Sequence, residues 1–261
     1  MQLLTVNSEA CSSANAVRKK LIVGLASTQE EIRALQRLRY NVFIETFPFS
    51  TLANADGIHV DEFDECCDHL IVQDTETSCV VGTYRMMSPA AALRVGGYYS
   101  EREFDLGRLN PLRAQLVEAG HACVHPDYRS GGVLALLWSG IAAYMQRERG
   151  GYLIGCASVS LSDGGDNAQA LYRAFTAEHF APSDYQVTPH TPFPIQAHGA
   201  GHAPNMPPLL KGYLRSGAWV CGMPALDAEF NVADFFMLLP LSRLGRRYSR
   251  HYFKPAGRNE S

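Results

Sequence analysis

The sequence predicts an α/β fold of the α+β kind, in which helices flank one mixed central sheet. Strand-like runs alternate with runs of helical spacing along the chain, the pattern of a layered domain. The chain has 261 residues, 46% of them hydrophobic and 19% charged, which suffices for one core and lacks the bias of a disordered protein. The third observation is local. Glu118-Ala-Gly-His-Ala-Cys-Val124 reads as a strand, which leads through the turn Arg129-Ser-Gly-Gly132 into an apolar helix. Together these predict one domain over 21–253, after an irregular segment, 1–20, and before a tail, 254–261.

The domain begins with the apolar run Leu21 to Leu25. A helix start follows at Ser27-Thr-Gln-Glu-Glu31: either Thr28 with Glu31 or Ser27 with Glu30 makes a capping box, and Ile32, Leu35, Leu38 and Val42 continue at helical spacing. An irregular stretch leads to an acidic run between Asp61 and Asp68. His69 to Gln73 and Cys79 to Met87 flank a polar turn and predict a β-hairpin. Beyond the strand near Val124, a helix carries Val133, Leu134, Leu137, Ile141 and Tyr144 and stops at Gly150-Gly151. Tyr152 to Val159 is the next strand and 167–180 the next helix. The Pro-, His- and Gly-rich stretch 182–208 reads as a long loop, of the kind that forms lids or substrate walls. Leu209 to Val220 and a last strand, Asp234 to Leu239, complete the domain, with no internal repeat.

A formal net charge of −3 argues against a general nucleic-acid binder, so no such partner is expected. Seven scattered cysteines without a Cys-x-x-Cys pair read as free thiols in a reducing compartment, which makes the expected location cytoplasmic. The N-terminus lacks the marks of a signal peptide, and no run reaches the roughly 18 apolar residues of a spanning helix, so any membrane contact is expected to be peripheral. His190, His198 and His202 do not make a metal site. His-x-x-x-His needs a helix, which the Pro and Gly flanks deny.

Consecutive glycines let a backbone approach a ligand, and the unpaired N–H groups of the next helix point at an anion. Gly131 and Gly132, with Arg129 for a charge-assisted contact and Val124 at the strand end, are therefore candidates for binding a phosphate or pyrophosphate. Simple chain reversal is the alternative use of such a turn.

Five segments together carry a resemblance: Leu38-Arg39-Tyr-Asn-Val-Phe43, Asp61 to Leu70, Val81-Gly-Thr-Tyr-Arg85, Glu118 to Gly132, and Leu209-Leu-Lys-Gly-Tyr-Leu-Arg215. Over about Leu21 to Phe253 the chain resembles the ornithine N-acyltransferases of bacterial ornithine-lipid synthesis, which have the GCN5-related N-acetyltransferase fold and are similar to acyl-homoserine-lactone synthases. The resemblance implies that a 3-hydroxyacyl chain passes from acyl carrier protein to the α-amine of ornithine, giving lyso-ornithine lipid. It implies no resident cofactor, only acyl-phosphopantetheine as co-substrate. It further implies that Arg39, Asp61, Asp64 and Arg85 shape the acceptor site, arginine clasping the α-carboxylate and carboxylates holding the distal ammonium. The residues alone leave two other readings of the acidic run. A solvated loop pinned by these arginines is one; a calcium site is the poorer, lacking the glycine and terminal glutamate of a helix-loop-helix site.

Glu118 is the candidate base for the α-amine, acting directly or through one water, and backbone N–H groups around Cys123 to His125 are the candidates for holding the oxyanion. A solvent-facing strand end is the bland reading of Glu118. Two departures from the family pattern matter. Leu134 stands where acetyltransferases of this fold have Gly or Ala, which crowds the phosphates and favours a single phosphodiester on a carrier protein over coenzyme A; His121 stands where the signal synthases have Arg. Arg243, Arg246, Arg247 and Arg250, interleaved with aromatics, form either a solvated tail or a docking surface for acidic carrier protein or anionic lipid at the inner face of the membrane. A different long-chain N-acyl amino acid or signal synthase, or a lipid-binding module without catalysis, are the alternative functions.

Overall fold

Thr28, rather than Ser27, caps the first helix. In the computed structural model, which describes residues 1–4, 20–47, 52–196 and 203–244, its hydroxyl accepts the Glu31 N–H while the Glu31 carboxylate accepts the Thr28 N–H. Such a cap stabilises a helix by about 0.5–2 kcal/mol. Helix α1 (Gln29–Thr46) then buries Leu35, Leu38, Val42 and Phe43, the face its spacing predicts, plus Arg39.

The strands are β1 (Gln2–Leu3), β2 (Leu21–Leu25), β3 (Asp68–Asp74), β4 (Val80–Met87), β5 (Phe104–Asp105), β6 (Leu116–Val124), β7 (Tyr152–Ser160), β8 (Thr188–Pro189), β9 (Trp219–Val220), β10 (Ala225–Asp227) and β11 (Val232–Pro240). The central sheet runs β1-β2-β3-β4-β6-β7-β11-β10, with β9 also on β11, while β5 and β8 pair separately. It is mixed: β6 and β7 are parallel and the other pairs antiparallel. The predicted hairpin is β3–β4.

Strand alternation sorts the side chains into two layers. Tyr84, Val117, Leu153, Phe235 and Met237 join the larger core beneath α3 (Gly132–Arg147), α4 (Asp166–Ala174) and α5 (Pro208–Ser216). Met87, Leu116, Ile154 and Phe236 face the other way, where α1, α2 (Pro89–Val95) and the single-turn helix Tyr99–Arg102 cover the sheet.

Three expectations change. The helix expected over 167–180 stops at Ala174, because Phe175 turns extended and buries its ring edge-on to Phe235. The stretch 182–208 is not all loop, since β8 pairs with β5 through Phe104–Pro189. The segment expected to be irregular, 1–20, supplies β1. Of the three histidines, His190 bonds the Glu101 carbonyl, and His198 and His202 lie outside the described residues, as does the tail 254–261.

Gly155 follows the last β6–β7 pair, Glu118–Ile154. A Cβ there would lie 2.2 Å from the Ala119 carbonyl oxygen, backbone that cannot yield as a side chain does. Gly155→Ala should therefore cost about 1–3 kcal/mol in denaturant unfolding, the usual range for overpacking. An unchanged midpoint would show that the strands can separate freely at this point.

Candidate active site

The two parallel strands pair only over Leu116–Tyr152, Val117–Leu153 and Glu118–Ile154. Beyond these pairs each strand keeps only its outer neighbour: β6 stays on β4 as far as Gly82–Val124, and β7 on β11 as far as Ser160–Val232. The result is a fork. A bulge on β6 helps to cause it: Thr83 faces Cys123 while Arg85 faces Gly120, so β6 carries one extra residue, and His121 takes a φ of 54°, rare for a residue with a side chain. The His125 N–H donates to the Val81 carbonyl at 2.9 Å, so it is turned to β4 and away from the fork. Alternation along the strand turns the Val124 N–H the opposite way, towards the fork.

Beside the fork lies a cavity of about 180 Å³. Cross-strand register sets part of its lining in one row: Arg85 opposite Gly120, Met87 opposite Glu118, Ser158 opposite Asp234, with Cys156 next along β7. Tyr99, Ser100 and Glu103 close it from the covering segment, and Val42, Phe43, Phe47, Leu209 and Phe230 give it an apolar wall.

Glu118 is buried, 4% exposed, not at a solvent-facing strand end. Its carboxylate accepts the backbone N–H groups of Tyr99 at 2.7 Å and Ser100 at 2.9 Å, and the Ser100 hydroxyl. Burial pushes its carboxyl above the ordinary glutamate value, against those three bonds.

The four acceptor candidates do come together, though largely as ion pairs with one another. Arg39 Nη1 bonds both oxygens of Asp64 at 2.8 and 3.0 Å, and Arg85 Nη1 bonds Asp61 at 2.5 and 2.6 Å and Asp64 at 3.1 Å. Arg39 and Asp64 do not line the cavity; Arg85 does, and its Nη2 is buried with no hydrogen-bond partner. His121, whose place sequence left unassigned, donates from Nε2 to the Asp61 carboxylate at 3.2 Å and packs edge-on to Phe43 and Tyr99. Burial, with Arg85 nearby, holds its imidazole well below the usual range, so it is neutral at pH 7. Burial alone would raise the Asp61 carboxyl, but His121 and Arg85 outweigh it and hold Asp61 well below the carboxylate range.

At the glycine turn, Gly131 adopts a φ of 103° and starts α3 with no side-chain cap, leaving the N–H groups of its first turn open. Arg129 pairs with Glu45 through two bonds, 3.2 and 2.9 Å, at the exposed rim. An exposed pair of this kind holds by about 0–1 kcal/mol and gives way readily to a stronger anion. Arg243 is held by the Gly217 carbonyl and stacks on Trp219; Arg246, Arg247 and Arg250 lie outside the described residues.

Sequence reasoning missed Ser100, Glu103, Asp227 and Asp234. No local spacing connects them. Only the register of β10 and β11 against β7, and the fold-back of the covering segment, bring them to one cavity.

Residues 38–139 match the family model described as an acetyltransferase (GNAT) domain. The chain is 36% identical over 256 residues to an L-ornithine N(alpha)-acyltransferase of Brucella abortus, covering 91% of this chain and 90% of that one. It is 34% identical to the enzyme of the same name from Agrobacterium fabrum, covering 87% and 83%. Among solved structures, the homoserine-lactone synthase LasI superposes with a TM-score of 0.53 over 90% of this chain and 95% of that one, and FeeM, an N-acyl amino acid synthase from uncultured soil microbes, with 0.51 over 90% and 96%. At 12% identity these two establish a shared fold, the GNAT-like mixed sheet predicted above. No helix of the described residues is long and apolar enough to cross a membrane.

Removing one partner of a buried ion pair strands the other charge, at about 3–5 kcal/mol. Asp64→Ala, which strands Arg39, should lose that much in denaturant unfolding; a loss below about 1 kcal/mol would mean that water reaches Arg39. Because the folded Asp61 carboxyl is depressed, its contribution is complete above the unfolded value of roughly 4 and is lost as pH falls further. Stability should accordingly drop below about pH 4, less steeply in Asp61→Asn, as read from midpoints across pH.

Proposed function

We infer the reaction from one premise: the chain belongs to the L-ornithine N(alpha)-acyltransferase family and is an acyltransferase. The acceptor is the α-amine of ornithine and the donor a 3-hydroxyacyl thioester on acyl carrier protein. The observation that carries this reading is the fork, which opens between β6 and β7 beside a cavity lined in part by Arg85, whose Nη2 has no partner.

The thioester arm enters the fork, with its phosphodiester at the open N–H groups after Gly131 and Gly132 and Arg129 moving to it from Glu45. The Val124 N–H polarises the thioester carbonyl. Arg85 Nη2 takes the α-carboxylate of the amino acid. The amine nitrogen attacks the carbonyl carbon; the C–N bond forms, the C–S bond breaks, and the pantetheine sulfur leaves as a thiolate that picks up a proton.

The amine must also lose a proton. Both Glu118 oxygens are already engaged, so the shortest route runs through Ser100: its oxygen takes the amine proton as its own proton passes to Glu118. The raised Glu118 carboxyl is better matched to that task than an ordinary glutamate. The apolar wall around Phe43, Phe47 and Phe230 suits the acyl chain. The basic segment from Arg243 to Arg250 is the docking surface for the acidic carrier or for anionic lipid, a peripheral contact at the membrane's inner face.

The direct test supplies pure protein with ornithine and either 3-hydroxyacyl carrier protein or 3-hydroxyacyl coenzyme A, and follows products by mass spectrometry. N-acylornithine should form with the higher kcat/KM from the carrier, an advantage that shrinks as salt shortens the Debye length from about 10 Å at 0.1 M to about 3 Å at 1 M. Absence of N-acylornithine from both donors overturns the reaction; preference for coenzyme A overturns the donor assignment.

Glu118→Gln and Ser100→Ala should each lower kcat by about 10²-fold or more and flatten the acidic limb of the pH–rate profile. A loss of rate with that limb unchanged in both variants would reduce Glu118 and Ser100 to holding the covering turn in place.

A further inference from the structure

One corner of the cavity collects carboxylates that no cationic side chain among the described residues bonds. Asp234 is buried, 3% exposed, and accepts the Ser158 hydroxyl at 2.6 Å. Asp227 uses one oxygen, Oδ1, for the N–H groups of Glu229 and Phe230 and keeps the other open. Glu103 has a buried Oε2 without a hydrogen-bond partner, and ligand atoms of Glu103, Cys156 and Asp234 lie within 4.8 Å of one another. Among the described residues no Lys or Arg bonds any of the three carboxylates. Burial, then repulsion by Asp234 and Asp227, pushes the Glu103 carboxyl up, and burial with repulsion by Asp227 outweighs the Ser158 bond to push Asp234 up, as for a pair that shares a proton.

A second feature of the same cavity independently points to a ligand. Arg85, with 3% of its side chain exposed, lines the same cavity, and its Nη2 is buried with no hydrogen-bond partner. The lining of one cavity thus includes an arginine with an unmet donor and, separately, a corner of carboxylates that no Lys or Arg of the described residues bonds. Asp61 and Asp64, the acidic residues that stand out in the sequence, are already neutralised by Arg39 and Arg85.

We propose that Glu103, Asp227 and Asp234 form the subsite for the distal ammonium of the acceptor, and so select an amino acid with a cationic side chain over a neutral one of the same length. The proposal rests on the acceptor reading above and deepens it. It fixes both ends of the amino acid, with carboxylate on Arg85 and ammonium in the acid corner, and leaves the α-amine between them for the thioester. Metal binding is the competing use of the corner. Burial and the neighbouring carboxylates push the Cys156 thiol well up, so it is a protonated thiol and a poor metal ligand at neutral pH.

Binding and turnover are measured separately, so that each reading can fail alone. Calorimetry on the full chain without donor compares ornithine with norvaline, which keeps the α-amine, the α-carboxylate and the chain length but lacks the ammonium. The wild type should favour ornithine at least tenfold, and Asp234→Asn and Asp227→Asn should each cut that ratio at least tenfold, with Glu103→Gln as a third, independent variant. Equal binding of the two amino acids by the wild type overturns the subsite, as does an unchanged ratio in all three variants. Tight zinc binding that the same variants abolish, without discrimination between the amino acids, also overturns it and assigns the corner to a metal. Selective ornithine binding with no acyl transfer from any thioester would instead support the subsite and sink the reaction.

Discussion

β6 and β7 run in the same direction and would hydrogen-bond along their whole length in a regular sheet. They stop after Glu118 and Ile154, and nearly everything chemical in the molecule depends on that early parting. The gap leaves space between the two strands without a channel through the core, and it turns the Val124 N–H of β6 into that space. The bulge at His121 sustains the gap on one side, and the unbroken β7–β11 ladder holds the other strand straight. A shorter β6, or one without its extra residue, would zip up and close the site.

Charge in the interior follows two different rules on either side of the cavity. On one side, Arg39, Asp64, Arg85 and Asp61 form a chain of opposite charges whose desolvation is offset by close, multiple hydrogen bonds. This network ties α1 to β4 through the acidic run and gives the site a rigid floor. In the corner formed by Glu103, Asp227 and Asp234 the charges are alike, and among the described residues no Lys or Arg bonds them. Isolated buried charge is costly enough that such a corner either stays protonated or receives a cation from outside. Fixed ion pairs support the site; unbalanced groups, the acid corner and Arg85 Nη2, are where a zwitterionic substrate carrying an extra ammonium is complementary.

The legibility of these features in the sequence follows their range along the chain. The capping box, the hairpin and the glycine turn are written within a few residues of each other, and each formed where its spacing indicated. Asp61 and Asp64 stood out because they are dense, and density reflected a local ion-pair network with Arg39 and Arg85. The corner formed by Glu103, Asp227 and Asp234 was invisible because its members sit singly, on a covering segment, on β10 and on β11, and meet only through the pairing of β10 with β11 and of β11 with β7. Ser100 was hidden for the same reason: its importance arises from its direct bonds to Glu118, which is distant in sequence. The helix expected over 167–180 failed at Phe175, where burying a ring outweighs continuing a helical turn.

Ornithine carries two amines, and the account places only one of them at the thioester. The position of the acyl group on the product is therefore the measurement that bears most directly on it. Tandem mass spectrometry or NMR of N-acylornithine made by the pure protein should find the acyl group on the α-nitrogen alone, because the distal ammonium is held in the acid corner. Acylation at the distal nitrogen, or a mixture of the two, would contradict the placement of the substrate between Arg85 and Asp234.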